Sequence, residues 1–258
     1  MKRWKPIVAT AAVFLLASVF LSACNLEPGV RKARLSLFIG VDASGSFQRS
    51  GHYDDSIIFL AHYIYGHMNE YGRLQKPREL FVASIGGNDP DEPKSFHPIH
   101  DFTGKTVGQI EEDLRAWFPP QDALTDFNPF FQEIARIAKE RNLVLAPISV
   151  MVVTDGIPDI SVARAKSGSG SAYEQIDFSP LEYLSRNLTV RLTYLTPKSG
   201  QSWRRSVRRQ RVRLWTVDAG VMQGWREQLE PGTDLANQDK LWKWVYDNVD
   251  FRVRSIGF

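Results

Sequence analysis

Thiols are all but absent from this chain: its 258 residues contain one cysteine, Cys24. No intrachain disulfide can form, and no cysteine cluster can hold zinc or a redox centre. Histidine is scarce too, with five residues. His62 and His67 are five apart and face different sides of a helix, so no zinc set emerges. A charge of one sign is also missing. The formal +3 comes from residues 1–23, which hold three of the 32 basic residues and none of the 29 acidic ones. The rest of the chain balances 29 against 29, which gives no reason to expect a nucleic-acid partner.

What is present begins at the N-terminus. Lys2, Arg3 and Lys5 precede an apolar stretch at residues 7–21. That stretch is short for a membrane span, which needs about 20 residues, and reads as a signal peptide. Leu21-Ser22-Ala23-Cys24 follows and resembles a bacterial lipobox. The resemblance implies cleavage before Cys24 and acylation of its thiol and new amine. Residues 1–23 are then the signal peptide, 24–33 the acylated cysteine and tether, and 34–258 the folded domain. The alternative is an ordinary signal peptide with an incidental cysteine. Several acyl chains make a firm anchor, at about 0.8 kcal/mol per buried methylene. Asn25, where an Asp often marks inner-membrane retention, favours the outer membrane. A domain of about 230 residues is large enough for one hydrophobic core.

Strand-like apolar runs alternate with helical patterns. Residues 35–41, 79–85, 148–153, 188–196 and 212–217 read as strands, and 95–102 as a short antiparallel edge strand that tolerates Pro98. Residues 56–71, 106–118, 128–141, 199–210 and 238–249 read as helices, with Thr106 as an N-cap and Pro129 in a first turn. Such alternation predicts an α/β fold: a doubly wound, mainly parallel sheet with one antiparallel edge strand and helices on both faces.

Two apolar runs end in oxygen-rich residues. The first leads into Asp42-Ala43-Ser44-Gly45-Ser46 and the second into Thr154-Asp155-Gly156. Taken alone, the first motif also fits a helix N-cap. Ligands bind at the carboxyl ends of strands in open α/β sheets. Two such ends with matching hard oxygen donors, joined by Thr125, point to a small divalent cation: Mg²⁺, with Mn²⁺ or Ca²⁺ as substitutes.

On these residues the chain resembles a von Willebrand factor type A domain with a metal-ion-dependent adhesion site. The resemblance implies that Ser44, Ser46 and Thr125 contact the metal and that Asp42 and Asp155 bind it directly or through water. It also implies a protein partner whose Asp or Glu completes the coordination sphere. The family usually places Gly before its threonine, whereas this chain reads Asp122-Ala123-Leu124-Thr125-Asp126. Asp126 is a further carboxylate on offer there.

An Mg²⁺-dependent phosphohydrolase is the competing class. Ser44 and Ser46 would need an activating base, and His52 and His100 are the obvious candidates. His52 reads better as a capping or surface residue, and His97 and His100 as exposed or stacking residues on the edge strand. A metal that only stabilises a scaffold is the third reading. Residues 157–176 form a long loop on the metal face, either ligand-selecting or a tolerated insertion. Six arginines between Arg204 and Arg213 suit anionic lipid headgroups, lipopolysaccharide or an acidic partner, although a solvated helix face explains them more simply. The aromatic residues of 241–246 read as packing the last helix onto the sheet, with a carbohydrate or peptidoglycan platform as the alternative.

Overall fold

The computed structural model describes residues 35–89, 92–159, 171–184 and 188–251. The signal segment, Cys24 and the tether lie outside the described residues, as do residues 160–170 of the long loop. The main sheet consists of β1 (Ser36–Val41), β2 (Glu79–Ser84), β4 (His97–Pro98), β6 (Ile148–Val153), β7 (Thr189–Leu195) and β8 (Arg213–Asp218), in the order β4-β2-β1-β6-β7-β8. Every pairing is parallel except that of β2 with β4. A separate pair joins β3 (Gly86–Gly87) to β5 (Leu124–Thr125). The architecture is the one the alternation of apolar runs predicts.

All six residues of β1 and of β6 are buried, as a strand covered on both faces requires. Leu37, Ile39, Val41, Met151 and Val153 face one layer, with α2 (Tyr53–Met68), α3 (Val107–Trp117) and α8 (Asp239–Val245). Phe38, Val150 and Val152 face the other, with α4 (Phe127–Glu140) and α6 (Pro197–Ser206). Each fully buried aliphatic or aromatic side chain contributes about 1.5–3 kcal/mol. Both layers lie within Ala33–Phe258, which is a compact unit by itself. Short helices α1 (Gly45–Arg49), α5 (Ser179–Glu182) and α7 (Ala219–Met222) lie between the longer elements.

Several expectations need correction. The edge strand is only His97–Pro98, because Ile99–Phe102 turns into a 3₁₀ helix that buries Phe102. His97 stacks on Trp117 at 3.8 Å, and His100 is exposed. Apolar and polar residues alternate along β7, and its polar Arg191 and Thr193 are buried. Arg191 is tolerated because its guanidinium donates to Ser149 Oγ (2.7 Å) and to the Phe251 carbonyl (2.9 Å). Helix α6 ends at Ser206 rather than at residue 210. Val207 turns into the core, and Glu182 accepts the N–H groups of Gln210, Arg211 and Val212. The last helix shares the core layer on the sheet face of Leu37, Ile39 and Val41, and its Trp242 also packs against Gly66 of α2 and Tyr71. Thr106 caps α3 as expected, in a reciprocal capping box with Gln109.

Candidate metal centre

Val41 pairs with Val153, so the residues after β1 and β6 leave the sheet side by side. The sheet order also reverses here, since β1 continues outward to β2 and β6 to β7. A crevice at the carboxyl ends of strands at such a switch point is the usual ligand site of open α/β sheets.

Asp42 is completely buried. Its Oδ1 accepts the Ser44 N–H at 3.0 Å, and its Oδ2 accepts the Thr154 hydroxyl at 2.5 Å. Thr125 Oγ1 stands 3.5 Å from Asp42 Oδ1. Ser44 Oγ and Ser46 Oγ are 3.1 Å apart, and the Ser46 hydroxyl lies near enough to the Asp155 carboxylate to favour its charged form. The five residues singled out from the sequence therefore meet in one place. Burial pushes the Asp42 carboxyl up to about 6. The Asp155 charge adds to that rise, and hydrogen bonds from Ser44 and Thr154 oppose it. Asp155 is also raised by burial, against the Ile157 N–H, Ser46 and the charge of Arg49.

Local structure explains each placement. Ser44 is the N-cap of α1, accepting the Phe47 N–H at 3.3 Å, so capping and site geometry coincide in one residue. Gly156 has φ +74°, and a Cβ there would sit 2.1 Å from Leu195 Cδ2. Its carbonyl accepts the buried Trp203 Nε1–H at 2.8 Å, which fixes the turn carrying Asp155. Leu124 stands where the family has Gly, yet Thr125 still reaches the site, because β5 pairs with Gly86–Gly87. A Cβ on Gly86 would meet Asp122 Oδ2 at 2.4 Å. Asp122 in turn accepts the Ser84 hydroxyl at 2.7 Å and donates its N–H to the Ala43 carbonyl, tying the second loop to the first.

Asp126 instead caps α4, accepting the Asn128 N–H at 3.0 Å. Thr154 is not among the expected ligands, yet its hydroxyl bridges Asp42 and the Gly156 N–H. Only its place in the Thr154-Asp155-Gly156 run hints at this.

The donor set is two carboxylates and three hydroxyls, all hard oxygens. Among the described residues no group of three or more His, Cys, Asp or Glu gathers anywhere, so a cation here must rely on the hydroxyls. Asp42 meets neutral donors from Ser44, Thr154 and Thr125, and its charge is buried beside a second carboxylate. A small divalent cation fits that set and would offset the buried charge.

No protein-family profile matches this sequence, and no curated protein matches it. Among solved structures the chain is similar to proximal thread matrix protein 1 from the mussel byssus, at 13% identity and TM-score 0.43, over 76% of this chain and 44% of that one. It is similar to the same mussel protein with a zinc-occupied MIDAS motif, at 11% identity and TM-score 0.42, over 76% and 46%. A third is the SpRpn10 VWA domain, at 10% identity and TM-score 0.37, over 80% and 94%. The chain thus spans less than half the length of the mussel protein. Strand order and the antiparallel edge strand are those of the doubly wound, mainly parallel sheet expected from the sequence.

Proposed function

We propose that this chain is a membrane-attached protein whose domain holds one Mg²⁺ ion and uses it to bind a protein partner. One observation carries the reading: Asp42, Ser44, Ser46, Thr125 and Asp155 converge at the switch point of the sheet, around a buried carboxylate whose partners are neutral donors. These five residues would hold the ion. When bound, the ion supplies a strongly polarising site for a carboxylate of the partner. The protein's own part is to fix the oxygens through α1, the β3–β5 pair and the Gly156 turn. Attachment through an acylated Cys24, at the outer membrane, belongs to the same proposal and rests on the sequence motif.

Binding is favoured over catalysis because no described histidine lies within hydrogen-bond contact of Ser44 or Ser46. The His52 ring lies against Tyr194, while His62 and His67 donate to the carbonyls of Ile58 and Gln75. The Asp42 and Asp155 carboxylates beside the serines would be committed to the ion, which leaves no free base to activate a nucleophile.

Affinity capture from envelope extracts tests the reading. A partner retained in Mg²⁺, released by chelator and lost in Asp42→Ala and Thr125→Ala supports it. Capture that is indifferent to chelator and to both substitutions overturns it and leaves a scaffold role.

A further inference from the structure

The fold divides the arginine cluster. Arg204 and Arg205 lie on α6, whereas Arg208, Arg209 and Arg211 are exposed in the loop that feeds β8. Because β8 is parallel to β1, that loop lies at the sheet edge where the chain enters β1. The pairs Ser36–Ile148, Ser149–Thr189 and Thr189–Arg213 mark this edge in one row. Other loops feeding it are basic as well. Lys76 and Arg78 precede β2 and Arg141 precedes β6, all exposed; the acids beside them are Glu70 in the loop before β2 and Glu79 at the start of β2, which pairs with Arg141 at 3.9 Å. The opposite edge carries Asp42 and Asp155 together with Asp89, Asp122, Asp126 and Asp159, against Arg49 and Lys94. The sheet thus runs from a positive end to a negative end.

Apolar side chains protrude at the positive end. Leu145, before β6, is 93% exposed. Tyr183 is 77% exposed and lines a shallow cavity of about 360 Å³ with Arg208, Arg209 and Arg211. Two acids line that cavity: Glu182 commits its carboxylate to the N–H groups of residues 210–212, and Asp177 accepts from the N–H and hydroxyl of Ser179. The Arg209 guanidinium donates to the carbonyls of Arg204 and Val207. Among the described residues, no ion pair involves Arg208, Arg209 or Arg211.

We infer that this edge binds anionic lipid headgroups and holds the metal centre pointing away from the bilayer. Guanidinium groups match phosphate geometry, and an aliphatic and an aromatic side chain among them suit the interfacial zone. The inference builds on the membrane attachment proposed above. About 11 residues separate Cys24 from Leu35, and at roughly 3.5 Å per residue they keep this edge within about 40 Å of the acyl chains. The lipid field fades within a Debye length of about 8 Å, so the edge that the tether joins is the one that meets it.

The test omits both the acyl group and the metal, so its failure leaves the other proposals standing. Protein from Asn25 onward, in chelator, is mixed with phosphatidylcholine vesicles with and without phosphatidylglycerol. Binding is expected only with phosphatidylglycerol and falls as salt rises. Arg208→Gln/Arg211→Gln weakens it about thirtyfold, at roughly fivefold per arginine. Lys198→Gln/Arg115→Gln makes the same charge change away from this edge, since Lys198 follows the carboxyl end of β7 and Arg115 pairs with Asp54 in the first turn of α2, and it retains binding. Leu145→Ser weakens binding without changing the salt slope. Equal melting midpoints show that all variants are folded. Absence of binding to the anionic vesicles, or equal losses in the two double variants, overturns the inference.

Discussion

Replacing Asp42 with asparagine should raise stability without metal and abolish the response to metal. The folded Asp42 carboxyl titrates near 6 against 3.8 for the free group, chiefly through burial. A raised carboxyl pKa means that the folded state holds the proton more tightly. Its stabilising effect is complete below about pH 4 and is lost as pH rises towards 6, so the metal-free protein weakens across that window. Two pKa units correspond to about 3 kcal/mol. The amide removes this cost and keeps an oxygen for the Ser44 N–H, but the Thr154 hydroxyl loses its acceptor, at about 1 kcal/mol. The net gain near neutral pH is about 2 kcal/mol, or roughly 4–8 °C for a domain of this size. Metal reverses the order, because an ion at a hundred times its Kd adds about 2.7 kcal/mol to the wild type alone. The assay is thermal unfolding of both proteins in chelator and in MgCl₂, near neutral pH and again near pH 4.5. At the lower pH the advantage of Asp42→Asn should vanish. A lower midpoint for the variant in chelator at neutral pH, or an undiminished Mg²⁺ shift, would refute the reasoning.

Other perturbations separate the supports of the site. Gly156→Ala forces a Cβ into Leu195 at a positive φ and should cost at least about 2 kcal/mol by urea unfolding, together with weakened metal binding. Gly86→Ala drives a methyl group into the Asp122 carboxylate; metal affinity measured by titration should fall while the urea midpoint changes little. Asp55→Ala strips the acceptor from Tyr194 Oη (2.7 Å) and Trp225 Nε1 (3.0 Å), which should lower stability by about 2–3 kcal/mol and leave metal affinity intact.

Much of this site is legible before folding because Asp42 and Asp155, the two carboxylates proposed to hold the ion, follow directly on strands. Continuous apolar runs identify β1 and β6, and their parallel register carries Asp42 and Asp155 to the same edge. Features that depend on distant partners are not legible. Leu124 at the usual glycine position signals disruption until Gly86–Gly87, far back in the chain, pairs with it. The acceptor that holds residues 210–212 out of helix α6 is Glu182, 28 residues before Gln210. Asp126 offers a carboxylate in sequence and spends it on a helix cap. Thr154 looks like a spacer until its hydroxyl is seen between Asp42 and Gly156. The arginine run reads as one helix face, and only the strand directions show that half of it belongs to the edge where the chain enters the sheet.

The central claim is that oxygens from three loops hold one divalent cation. Mn²⁺ titration followed by water-proton relaxation tests it most directly. One saturable ion per chain is predicted, competed by Mg²⁺ and lost separately in Ser46→Ala, Thr125→Val and Asp155→Asn. Binding that survives all three substitutions, or no saturable binding at all, would contradict the account.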